Sequence, residues 1–231
     1  MEISSNKSSP KVIMHDSVSI DGSFVGFEYS MELMGIHYKI AGSFGDKVRI
    51  FGSTTALKGM EMFGGFTEET EADFAKPDKG DSLTYWAVTD SGGLLEGKLH
   101  YFRNSEYCRD VVALITGQTP KSYVDYLASR NYDYYVVGKN RVDLKIALKL
   151  LSENYNSENI MIDSGRELTN AFLNEGLIDE VSLLIIPEIV GNKSQNLFSS
   201  VLNKVPLELI KTQQFPFGFV WNLYKVKKSI E

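Results

Sequence analysis

The chain has 231 residues, 43% hydrophobic and 23% charged, with a formal net charge of −6. That apolar content excludes whole-chain disorder, and the acidic balance argues against general nucleic-acid binding and against an anionic membrane surface, both of which need a basic footprint. A single cysteine, Cys108, excludes an intramolecular disulfide and a multi-cysteine zinc site.

Residues 1–10 are polar and Ser-rich and lack the apolar stretch of a signal peptide. No run approaches the roughly 18 apolar residues of a membrane helix. The expectation is a cytoplasmic protein with a flexible segment at 1–10 and one domain at 11–231. Residues 11–20 read as a strand closed by the turn pair Asp21-Gly22. Residues 48–51 read as a short strand. Residues 54–63 read as a helix with Leu57, Met60 and Phe63 on one side. The stretch 67–82, rich in Glu, Asp and Lys with Pro77, reads as a solvated loop. Residues 84–88 and 99–102 read as strands around the turn Ser91-Gly92-Gly93. The continuous apolar run 111–116 marks a strand buried on both faces.

The second half alternates more clearly. Pro120 opens a helix running to about Arg130. Residues 134–137 form a strand ending at Gly138, and 142–151 carry Leu144, Ala147, Leu148 and Leu151 at helical spacing. A strand at 160–162 precedes a helix at 166–175, with Leu168, Ala171 and Phe172 inward and Gly176 as its stop. Residues 181–190 read as a strand with Pro187 near its end, and 207–212 with 219–226 as a closing antiparallel pair. Such alternation implies an α/β fold: a mostly parallel sheet with helices on both faces and an antiparallel C-terminal edge.

Metal and hydrolytic sites find little support. His15, His37 and His100 have no i, i+4 partner, and no G-x-S-x-G elbow is present. The segment Gly92-Gly93-Leu94-Leu95-Glu96-Gly97-Lys98-Leu99 approaches a P-loop. It places Leu99 where a Ser or Thr should ligate magnesium, so it reads as a Gly-rich hairpin. The strongest site is the strand-to-helix junction Ile162-Asp163-Ser164-Gly165-Arg166-Glu167-Leu168. There the free amides of a helix start, together with Arg166, suit an anion. Ser164-x-x-Glu167 also matches a capping box, which needs no ligand. Gly52-Ser53-Thr54-Thr55 is a second such junction, or else an N-cap from Ser53 or Thr54. Two junctions in one sheet suit a dinucleotide, and Gly138 ends a third strand where a flat group could lie.

In order along the chain, Ser17-Val18-Ser19-Ile20-Asp21-Gly22, Gly52 through Thr55, Val88-Thr89-Asp90-Ser91, Gly138 through Leu144, Ile162 through Leu168, Gly176-Leu177-Ile178-Asp179-Glu180 and Ile186 through Gly191 resemble the reductase domain of riboflavin biosynthesis. That RibD C-terminal-like domain belongs to the dihydrofolate-reductase-like superfamily and has a three-layer fold. The resemblance implies an NADPH-dependent reductase that converts the ribosylamino group of 5-amino-6-(5-phosphoribosylamino)uracil, or of its 2,5-diaminopyrimidinone analogue, to a ribitylamino group. It implies cofactor contacts at Ser17, Thr55, Ser91, Gly138, Ser164, Gly165, Arg166, Glu167 and Leu168, substrate contacts at Asp163 and Asp21, no metal, and a homodimer. The chain departs from the family in having Ser164-Gly165 for a frequent Gly-Gly pair, Gly92 for a frequent Arg, and no Pro-x-Leu-x-x-Arg stretch. Lys39, Lys58 or Arg141 would then meet the sugar phosphate. A pteridine-type reductase on the same fold and a non-catalytic nucleotide-binding dimer are the competing readings. The aromatic run Phe215, Phe217, Phe219 and Trp221 is expected either at the dimer interface or folded inward over the sheet.

Overall fold

A computed structural model describes residues 9–64 and 67–227. Most of the segment expected to be flexible, residues 1–8, lies outside them. Strand β1 (Lys11–Ser19) buries Val12, Ile13, Met14 and Val18 on both faces. Helix α1 (Met31–Gly42), which the sequence reading leaves out, starts where the Ser30 hydroxyl accepts from the Leu33 amide at 3.2 Å. Strand β2 (Val48–Gly52) runs into α2 (Ser53–Met62), and β3 (Thr84–Thr89) follows.

Residues 99–102 are not a strand, and 92–99 are not a hairpin. Asp90 is buried after β3, and its carboxylate accepts from the amides of Leu94 and Leu95, both at 2.9 Å. This winds the glycine-rich stretch into turns that bury Leu95 and Leu99 and lead into a short helix, α3 (His100–Arg103). The stretch 67–82 is also more structured than a solvated loop. It holds a 3-10 turn at Glu71–Phe74, and Lys79 Nζ donates to the carbonyls of Arg103, Ser105 and Cys108 at 2.7, 2.6 and 2.7 Å. Strand β4 (Cys108–Ile115) is buried on both faces as its apolar run requires. At its start Arg103, fully buried, forks onto Asp110 through Nε at 2.9 Å and Nη2 at 3.2 Å. It also donates to the carbonyls of Asp73, Arg130 and Asn131, and lies over the Tyr132 ring.

The remaining elements alternate as read: α4 (Lys121–Ser129), β5 (Asp133–Val136), α5 (Leu144–Asn154), β6 (Asn159–Ile162), α6 (Arg166–Asn174), β7 (Glu180–Ile186), β8 (Leu207–Gln214) and β9 (Val220–Val226). Asp143 caps α5 by accepting from Ile146 N at 2.9 Å. Gly176, at φ 66°, stops α6 in the left-handed turn that leaves Leu177 N on the Phe172 carbonyl.

The strands form one sheet in the order β5-β4-β3-β2-β6-β1-β7-β9-β8, parallel from β5 through β7 and antiparallel at β9 and β8. This is the expected α/β class with its antiparallel edge. Helices α5 and α6 cover one face around Val12, Ile50, Ile160 and Phe172. Helices α2, α3 and α4 cover the other around Phe51, Met60 and Tyr123, and α1 extends that layer over β7 and β9. Phe219 and Trp221 are buried under α1, and Phe215 packs beside them. The aromatic run therefore mostly covers the sheet internally, and only Phe217 is widely exposed.

Candidate functional site

The parallel strands end in one cleft of about 1870 Å³, where β2, β6 and β1 deliver their C-terminal residues side by side. Open α/β sheets place ligands at that end. Gly52 and Gly165 are the N-caps of α2 and α6, and neither helix is capped by a side chain. The two junctions clasp each other instead. Ser164 Oγ accepts from the Gly52 amide at 3.1 Å, Thr55 Oγ1 accepts from the Gly165 amide at 3.2 Å, and the two hydroxyls meet at 3.3 Å. The capping box that Ser164-x-x-Glu167 spells is therefore not formed. The Ser164 hydroxyl is committed to the neighbouring junction, and Glu167 turns to Arg166 at 3.2 Å. The Ser53 and Thr54 cap is not formed either. What remains is a pair of helix starts whose first amides lack internal partners and whose dipoles converge on the cleft.

Across from this cradle lies a charged cluster on the α1 side of the sheet. Asp163 Oδ2 sits 3.8 Å from His37 Nε2 and 3.8 Å from Arg49 Nη1. Arg49 also reaches Asp46 at 3.4 Å. Burial pushes the Asp163 carboxyl up, but the His37 ring and the Arg49 guanidinium prevail and hold it at about 2. Asp163 thus turns away from α6, and its reading as a second cap falls. His37 Nδ1 lies 2.9 Å from Ser17 Oγ, and the ring packs against His15 at a 31° tilt with centroids 4.3 Å apart.

The hydrogen bonds fix the tautomer of His15. Its Nε2 faces the His37 carbonyl at 3.2 Å, which can only accept, so Nε2 carries the proton. Nδ1 then accepts from the Ser182 hydroxyl at 2.9 Å, whose oxygen accepts from Trp221 Nε1 at 2.8 Å. Burial first, and the neighbouring His37 second, lower His15 to about 3, so it stays neutral. Asp16, beside it on β1, is pushed well above the usual carboxylate range by burial and by Asp163.

Of the residues anticipated from sequence, Ser17, Thr55, Ser91, Asp163, Ser164, Gly165, Arg166, Glu167 and Leu168 all line this cleft. The hydroxyl of Ser17 is engaged by His37, and the amide of Gly165 by Thr55. Asp21 does not line it. Its carboxylate accepts from Ser19 Oγ at 2.6 Å and from the amides of Val190 and Gly191 at 3.1 and 3.0 Å. Those bonds, led by Ser19, hold it below the usual carboxylate range and staple the end of β1 to the loop after β7. Gly138 is likewise outside the lining. At φ +90° it makes a tight turn in which a Cβ would lie 2.0 Å from the Arg141 carbonyl, so glycine there serves the turn. Lys58 and Arg141 line the cleft, whereas Lys39 does not.

His37, Arg49 and Asp16 are site residues that the sequence reading passed over. One of them left a trace, since Arg49 is a charge inside an otherwise apolar strand. Among the described residues no group of His, Cys, Asp or Glu side chains could hold a metal ion, and no helix is long and apolar enough to cross a membrane.

A family model described as the RibD C-terminal domain matches residues 100–221. Among solved structures, a pyrimidine reductase-like protein from Corynebacterium diphtheriae superposes with a TM-score of 0.72 at 19% identity, covering 95% of this chain and 93% of that one. RibD from Acinetobacter baumannii gives 0.67 at 18% identity, and there the chain spans 58% of the longer protein. The riboflavin biosynthesis reductase Rib7 of Saccharomyces cerevisiae gives 0.63 at 13% identity, covering 96% and 92%. These likenesses are of fold.

Proposed function

Because the chain belongs to the RibD C-terminal domain family, we propose that it is an NADPH-dependent reductase acting on a phosphorylated ribosylaminopyrimidine. The observation that carries this reading is the pair of uncapped, mutually clasped helix starts at Gly52 and Gly165, facing the cleft that also holds the Asp163–His37–Arg49 cluster.

The residues present fit a dinucleotide. Free amides at the starts of α2 and α6 suit a pyrophosphate. Gly165 places no side chain in front of those amides, although a bare Cβ would make only ordinary contacts, 3.4 Å from the Phe24 ring and 3.5 Å from Thr55 Oγ1. Ser91 and Arg141 extend the lining toward β3 and β5. When bound, NADPH supplies a hydride from its nicotinamide ring. The chain's own contribution is to orient both partners and exclude water. In this reading Thr55, Ser164 and the amides of residues 166–168 hold the cofactor. Asp163 faces the substrate, and Lys58 or Arg141 meets its phosphate. The chain acts as a homodimer in the cytoplasm, with the outer strand β8, which exposes Leu207, Leu209 and Ile210, at the subunit contact.

The test is NADPH titration followed by oxidation assays with the ribosylaminopyrimidine phosphate, with dihydrofolate, and with no acceptor. Turnover of the first supports the proposal. Turnover of dihydrofolate alone supports the pteridine-type reductase. Failure to bind NADPH removes the reductase reading.

A further inference from the structure

Adding hydride to a ribosylamino group in its ring-opened C=N form needs a proton as well. The hydride's electron pair forms the new C–H bond at the sugar carbon. The C=N π pair moves onto nitrogen, and that nitrogen takes a proton to become the secondary amine, while the nicotinamide is oxidised. A donor must therefore face the cleft beside the substrate.

We infer that His37 is that proton donor, with Asp163 as its counter-ion. The inference rests on the reductase reading above. His37 projects from α1 into the cleft. Its Nδ1 edge is anchored on Ser17 at 2.9 Å, so the Nε2 edge is the one presented, 3.8 Å from Asp163. That gap exceeds a hydrogen bond, so Nε2 is held near the carboxylate without being closed off by it. Below the ring, neutral His15 holds the His37 backbone carbonyl through its Nε2 proton and is itself locked by Ser182 and Trp221. Of the two neighbouring rings, His15 is thereby committed to structure and His37 is left facing the cleft.

The other titratable or charged groups around His37 are poorly suited. Arg49, on β2, never gives up its proton at working pH. Asp163, after β6, stays ionised, being held at about 2. Tyr38, on α1, is pushed up to about 12 by burial and then by Asp163. Tyr29, in the segment before α1, is raised by burial and then by Asp16. Asp46 is reached only through Arg49. Asp16, on β1, is the one rival, because burial keeps its proton on. Its Oδ1 accepts from the Ser17 amide at 2.8 Å, and among the described residues no cationic side chain pairs with it, whereas Asp163 stands beside His37.

The experiment compares His37→Gln, Asp16→Asn and Asp163→Asn. Glutamine keeps a polar group for Ser17 but carries no transferable proton. The expected result for His37→Gln is a kcat lower by roughly 100-fold, the low end of general-acid contributions, with NADPH affinity unchanged and the alkaline limb of the kcat/KM profile abolished. Asp16→Asn should keep that limb. Asp163→Asn should lower kcat by about tenfold and enlarge the solvent deuterium isotope effect on it, with NADPH affinity unchanged, because the proton donor loses the anion beside it. An unchanged limb in His37→Gln, or a limb lost only in Asp16→Asn, overturns the assignment. An unchanged kcat and isotope effect in Asp163→Asn removes Asp163 as the counter-ion. A wild-type protein that turns over none of the substrates refutes the reductase reading instead.

Discussion

Replacing Gly165 by valine tests whether the α6 junction holds a pyrophosphate. Gly165 has φ −67° and ψ −180°, an extended conformation open to any residue, so the change introduces no backbone strain. A Cβ would meet Phe24 Cε2 at 3.4 Å and Thr55 Oγ1 at 3.5 Å, ordinary packing contacts. Alanine should therefore fit with little consequence. Valine adds two methyl groups beyond that Cβ, with Phe24 and Thr55 already on two sides, so they are directed toward the space in front of the α6 amides. Its cost to the fold is that of a poor N-cap residue, about 1 kcal/mol, or roughly 2–4 °C in Tm for a chain of this size. Its cost to binding should be larger: at least a tenfold rise in the NADPH Kd, about 1.4 kcal/mol. Fluorescence titration of the folded wild type, Gly165→Ala and Gly165→Val gives the series directly. If the valine variant melts within a few degrees of wild type and binds NADPH equally well, the junction is structural and the cofactor lies elsewhere.

Asp16→Asn should stabilise the protein at neutral pH. A carboxyl raised in the folded state is penalised once the unfolded chain ionises near pH 4, so the gain in Tm should appear above about pH 4 and vanish below it. Melting curves from pH 3 to 7 check this, and a gain independent of pH would contradict it. Asp110→Ala strips the charge partner from fully buried Arg103, an error that costs about 3–5 kcal/mol in general. The three carbonyls still facing that guanidinium put the loss near the lower figure, which denaturant unfolding can measure. Light scattering at micromolar concentration should show a dimer, and Leu209→Lys with Ile210→Lys on β8 should shift it to monomer. A monomeric wild type would end the dimer proposal.

The order of strands and helices from residue 111 onward could be read from the chain because each element carries its own period and its own stop, as α6 does with Leu168, Phe172 and Gly176. Helix α1 escaped notice because Gly35 and Gly42 interrupt it, and its buried residues, Leu33, Ile40 and Ala41, are too few for a strong stripe. Residues 99–102 misled because a short apolar run has no period of its own. There the buried Asp90 carboxylate, not local propensity, decides the conformation. The site divides the same way. The junctions at Gly52 and Gly165 were visible as local motifs. The clasp between them joins residues more than 100 positions apart, and it diverts Ser164 from the cap its own neighbourhood spells. Asp163, His37 and Arg49 meet only through the strand order, which no local pattern reveals.

That strand order also bears on how the chain is made. Strands β2, β3, β4 and β5 are neighbours in the sheet in the sequence in which they are synthesised, so each can add to the last as it emerges. Strand β1 cannot. Its partners are β6, where Lys11 pairs with Asn159, and β7, where Ser19 pairs with Ile186. At translation speeds of about 5–20 residues per second, this apolar strand waits on the order of ten seconds with both edges bare. Closing it is the longest-range and slowest class of contact to form. Until then Val12, Ile13, Met14 and Val18 offer other chains an unpaired hydrophobic edge. In the nascent protein, therefore, β1 is the described strand most exposed to misassembly, and a ribosome stall before residue 186 leaves part of its β7 edge bare.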